Sequence, residues 1–121
     1  MNLVIEKNKE IDEITIFLKL FQLHKSFLLM ISDKESMGIG NVTLGSPPTI
    51  EGIKPLSTSY NIFGVNTKLL STIITESASF ILKAPILLLL FLKTKKNEED
   101  IIKPLILFLN ETLKGITDKL E

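Results

Sequence analysis

Apolar and polar positions alternate most clearly early in the chain. Ile14, Ile16, Leu18 and Leu20 alternate with Thr15, Phe17, Lys19 and Phe21. This predicts a strand with one aliphatic face and one partly aromatic face. Leu23-His24-Lys25-Ser26 suits a turn, and residues 27–31 form a second apolar run ended by Ser32-Asp33-Lys34. The two runs make a hairpin. Gly38-Ile39-Gly40 is a flexible connection to a shorter third strand at residues 41–44. Gly45-Ser46-Pro47-Pro48 ends that strand, because proline donates nothing to a ladder. Residues 56–63 contain Thr58, Tyr60 and Ile62 and predict a fourth strand closed by Gly64.

The period then changes from two to 3.6. Asn66 or Thr67 can cap a helix in which Leu69, Leu70, Ile73, Ile74, Ser77, Ala78 and Ile81 recur at helical spacing. Lys68, Thr72, Thr75, Glu76 and Ser79 form its expected wet side. Ala84-Pro85 stops it, and Thr94-Lys95-Lys96 is a charged turn. Asn97 can cap a second helix with Glu98, Glu99 and Asp100 favourable in its first turn. Its expected buried stripe is Ile101, Leu105, Phe108, Leu109, Thr112 and Ile116. Pro104 either kinks this helix or marks a later start. Gly115 is its expected stop.

Between the helices lies Pro85-Ile86-Leu87-Leu88-Leu89-Leu90-Phe91-Leu92, eight residues without charge or alternation. A strand wet on one face alternates, so this run predicts a strand buried on both faces. Two helices cover one face of a sheet. The other face therefore needs a cover, and a second protein chain is the expected one. The order of elements predicts an α+β fold: a single, mainly antiparallel β-sheet with two α-helices on one face, in one domain spanning residues 1–121.

Composition narrows the chemistry. The chain has 121 residues, 45% hydrophobic, enough for one packed domain. Fourteen basic residues balance 14 acidic ones, and every basic residue is Lys. Without net charge or arginine, nucleic acid is not an expected partner. The longest apolar run is far short of the ~20 residues of a membrane helix, and the N-terminus has no signal-peptide core, so no membrane partner is expected. No cysteine is present, which removes thiolate catalysis and cysteine-based metal sites.

Histidine occurs once, as His24 in the hairpin turn, where a solvated turn residue is the simple reading. Gly38-Ile39-Gly40 lacks the further glycines and the following helix of a phosphate loop. Asp33 with Glu35 reads as a polar loop, and Glu98-Glu99-Asp100 as a solvated helix start rather than a cation site. Ser57, Thr58 and Ser59 have no base beside them, and Lys95-Lys96 is too short for a polybasic patch. The expectation is a non-enzymatic protein with no catalytic residue, metal or cofactor.

Three stretches resemble the proteasome assembly chaperone family, its type 3 and type 4 group, and the type 4 members most closely. Leu20-Phe21-Gln22-Leu23-His24-Lys25-Ser26-Phe27-Leu28-Leu29-Met30-Ile31 resembles their first hairpin. Lys54-Pro55-Leu56-Ser57-Thr58-Ser59-Tyr60-Asn61-Ile62-Phe63-Gly64 resembles their Ser-Thr-Ser strand that ends on glycine. Residues 67–92 resemble their long helix, lysine-containing turn and hydrophobic strand. The resemblance spans about residues 12–116, in arrangement more than identity. It implies a chaperone that heterodimerises with a type 3 partner, sheet against sheet, and assists assembly of the 20S proteasome α-ring. The lack of cysteine makes an intracellular location, cytoplasmic and extending to the nucleus, the expected one, and the uncovered apolar face makes a homodimer in isolation a further expectation. A small dimeric adaptor or scaffold unrelated to the proteasome is the alternative.

Two sets of residues are candidate contacts. Phe17 and Phe21 lie on the partly aromatic face and are expected at the partner interface. Asp33, Lys34, Glu35 and Met37 are expected to touch the client, because they lie in a polar loop carried on a rigid sheet and Met37 is an apolar residue expected to be exposed among charges. The loop from Pro47-Pro48 to Pro55 is the other candidate.

Overall fold

The computed structural model describes residues 1–38, 40–47, 56–61, 68–94 and 97–120, without the side chains of 56–61, 68, 119 and 120. The strands are β1 (Asn2–Ile11), β2 (Ile14–Leu23), β3 (Ser26–Ser32), β4 (Asn41–Ser46), β5 (Leu56–Asn61) and β6 (Ile86–Phe91). The helices are α1 (Lys68–Leu82) and α2 (Glu98–Leu120). The strands form one sheet in the order β1-β2-β3-β6-β4-β5. Only β3 with β6 is parallel; the other neighbours are antiparallel. This is the expected α+β fold. The two caps expected for the first helix, Asn66 and Thr67, lie outside the described residues, as do Ile39, Gly64, Lys95 and Lys96.

The inward side of the sheet follows the alternation in β2. Ile16, Leu18 and Leu20 are fully buried. Pairing carries that face across Phe27, Leu29 and Ile31 of β3, Ile86, Leu88 and Leu90 of β6, and Asn41 and Thr43 of β4. Each fully buried aliphatic side chain contributes about 2 kcal/mol by leaving water. From above, α2 adds Ile101, Leu105, Phe108, Leu109, Leu113 and Ile116 to the same core.

α1 is turned relative to its expected face. Its buried residues include Leu70, Ile74 and Ala78 as expected, but also Ser71, Thr75 and Ser79. Thr75 and Ser79 were expected to be wet, whereas Leu69, expected inside, is exposed. The cause is the layer beneath. α1 lies over β4, β5 and β6 and beside α2, and the buried positions of β4 are polar, with Thr43 Oγ1 donating to Asn41 Oδ1 at 2.7 Å. Small hydroxyl side chains satisfy themselves there. Thr75 Oγ1 donates to the Ser71 carbonyl at 2.7 Å and Ser79 Oγ to that of Glu76 at 3.1 Å.

Two further expectations are corrected. β1 was not foreseen, because residues 6–10 are all polar. Paired to β2 at the sheet edge, they are exposed, and charges suit an edge strand. Gly115 does not stop α2, which runs to Leu120; Pro104 is held inside it. The helix starts beside its acidic triplet, where Asp100 N donates to the Asn97 carbonyl at 3.1 Å.

Candidate functional site

Opposite the helices, no described helix or strand covers the sheet. The register sets three rows across this open face. One row runs Glu6, Lys19, Met30, Leu89, Val42. The next runs Leu3, Phe21, Leu28, Leu87, Leu44. The third runs Asn8, Phe17, Ser32, Phe91. Leu44 is 58% exposed and Leu3 51%. Leu28, Met30, Leu87, Leu89, Phe91, Phe17, Phe21 and Val42 are half-buried. Water-facing apolar rows of this extent mark interaction surfaces.

The run from Pro85 to Leu92 therefore divides. Ile86, Leu88 and Leu90 are core, while Leu87, Leu89 and Phe91 belong to the open face. Phe17 and Phe21 lie on that face as expected, but they are not its centre. Met30, Leu89, Leu28 and Leu87 are, and the sequence reading did not name them as contacts. The signal was available: β3, like β6, runs apolar through Phe27–Ile31 without alternation.

One end of the face is closed by the chain itself. Gly38 lies against the Phe91 ring so closely that a Cβ there would sit 3.0 Å from the ring's Cγ. The Lys93 ammonium stands 5.5 Å from the ring centroid, a cation–π distance. Asp33 ties this corner together. Its carboxylate accepts from the Lys93 N–H at 3.0 Å and the Thr94 N–H at 2.7 Å, and its own N–H donates to the Phe91 carbonyl at 3.2 Å. Ser32 Oγ, fully buried, accepts from the Lys34 N–H at 2.9 Å.

This changes the reading of the candidate client loop. Asp33 is a half-buried structural tie and Met37 is half-buried rather than exposed among charges; only Lys34 and Glu35 are fully presented. They border a shallow cleft of about 450 Å³ whose walls include Glu13, Phe17, Asp33, Lys93 and Thr94. The Pro47-Pro48 to Pro55 loop lies outside the described residues from Pro48 onward. His24 is exposed in the β2–β3 turn. Among the described residues no three His, Cys, Asp or Glu side chains are grouped to hold a metal. No described helix is long and apolar enough to cross a membrane.

No protein-family model matches the chain, and no curated protein matches it in sequence. Its fold is similar to a solved chain in the crystal structure of a chaperone complex for yeast 20S proteasome assembly. The TM-score is 0.58 at 9% identity, over 97% of this chain and 96% of that one.

Proposed function

We propose that this protein is a proteasome assembly chaperone subunit that pairs through the open face of its sheet. The observation that carries this is the apolar face itself, centred on Leu28, Met30, Leu87 and Leu89, on a fold shared end to end with a chain of a proteasome-assembly chaperone complex. Its partner is a type 3 chaperone of the same fold, packed sheet to sheet, and the pair assists assembly of the 20S α-ring. The protein works without catalysis, in the cytoplasm and nucleus. Lys34 and Glu35, at the mouth of the cleft, are the proposed contacts to a proteasome α subunit, since a contact that must later release suits a small polar patch.

The same face favours a second reading, a small dimeric adaptor unrelated to the proteasome. Capture from source-cell extract separates the two. The tagged wild-type chain should retain a type 3 chaperone and proteasome α subunits. The Leu89→Asp variant, checked by circular dichroism to be folded, should retain neither. Wild-type chain that retains no α subunit would overturn the proteasome reading.

A further inference from the structure

Lys19 is the one charged side chain that β2, β3, β4 and β6 place on the open face. The register seats it between Glu6 and Met30, at the end of the row that continues through Leu89 to Val42. Its ammonium is 3.7 Å from a Glu6 carboxylate oxygen, and the two side chains are 32% and 59% exposed. That is a loose pair, open to solvent on both sides. An exposed pair of this kind contributes at most ~1 kcal/mol. Covering Lys19 would remove its water and leave it with Glu6 alone at 3.7 Å, and an ion pair taken out of water without close, hydrogen-bonded geometry loses more by desolvation than it gains.

Consider what a second copy of this chain would offer. Face-to-face sheets keep their strands within about 30° of each other, and identical chains pair about a two-fold axis. An axis along the strands, between β3 and β6, lays β2 over β4 of the second copy. Lys19 then faces Val42 and Leu44. An axis across the strands, through the Met30–Leu89 row, lays β2 over β2. Lys19 then faces Lys19. Neither arrangement sets a carboxylate directly opposite Lys19; in the second, Glu6 one strand away faces its own counterpart.

We propose that Lys19 sets partner choice: it weakens pairing with a second copy and favours a chain that presents a carboxylate on an otherwise apolar sheet face. This rests on the open face being the pairing face. A charge that costs little in the free subunit but much in the wrong pair is a common way to build specificity.

Sedimentation equilibrium tests it on the full chain. Lys19→Met should self-associate about tenfold more tightly than wild type or better, a difference of ~1.4 kcal/mol. Adding Leu89→Asp to that variant should return it to monomer. Wild type should also bind one of two carboxylate-bearing copies, Lys19→Glu or Val42→Glu, more tightly than it binds itself; the one that binds identifies the axis. Lys19→Met no tighter than wild type, or neither mixture tighter than wild type alone, overturns the proposal. If the Lys19→Met variant with Leu89→Asp stays associated, the open face is not the pairing face and the functional reading falls as well. If Lys19→Met fails to tighten while Leu89→Asp still abolishes capture from extract, only the role of Lys19 is lost.

Discussion

On β6, Ile86, Leu88 and Leu90 are nearly the same chemically as Leu87, Leu89 and Phe91, one residue out of step with them. The first three are sealed beneath the helices; the other three are half-buried on the open face, where only the Phe91 ring is also met from outside the sheet, by Gly38 and Lys93. The difference is one of cover. Both helices lie on the same side, so one face is finished by the chain's own packing and no described segment of the chain lies across the middle of the other. An apolar strand thus carries two kinds of information, and burial separates them: one side stabilises the fold, and the other is the side the proposed function assigns to pairing.

Charge insertion is the sharpest way to break this comparison. Leu88→Asp should abolish folding, since an unpaired carboxylate would sit in a closed apolar layer. Leu89→Asp should leave a folded monomer that no longer associates. Thermal unfolding and sedimentation together read the contrast, and an unfolded Leu89→Asp chain would erase it. Truncation repeats the test more gently. Leu88→Ala should cost about 2–5 kcal/mol in urea unfolding of the monomer, whereas Leu89→Ala should cost about 1 kcal/mol or less.

The closed corner gives an intermediate effect. Asp33→Ala removes the acceptor for the Lys93 and Thr94 N–H groups and should cost about 1–3 kcal/mol. It should also speed amide exchange at those two positions, which a purely client-facing aspartate would not do. The smallest expected effect is a gain. Gly115 lies exposed inside α2, and a Cβ there meets nothing within 4 Å. Gly115→Ala should therefore raise stability by about 0.5–1 kcal/mol while leaving association unchanged. A loss of stability on that change would show that α2 is not continuous through residue 115.

Much of this was legible residue by residue. The period-two alternation of β2 assigned Ile16, Leu18 and Leu20 to one side. The acidic triplet marked where α2 begins, and the stripe from Ile101 to Ile116 followed from spacing. The unbroken apolar run of β6 implied two non-polar surroundings and hence an interaction face. These are local properties, because side-chain direction follows directly from backbone period.

Other features depended on neighbours distant in sequence. β1 is a strand because β2 offers it a ladder; alone, its polar run at residues 6–10 has no apolar side. α1 buries Ser71, Thr75 and Ser79 because β4 presents Asn41 and Thr43 beneath it, and a hydropathy pattern counts hydroxyls as wet even where helix carbonyls satisfy them. Asp33 resembled a free loop carboxylate until the end of β6, some 60 residues later, supplied its two amide donors. The sequence determined which faces were apolar. Only the tertiary structure decided which of them the chain covers itself, because cover depends on where helices and strands far apart in sequence come to rest.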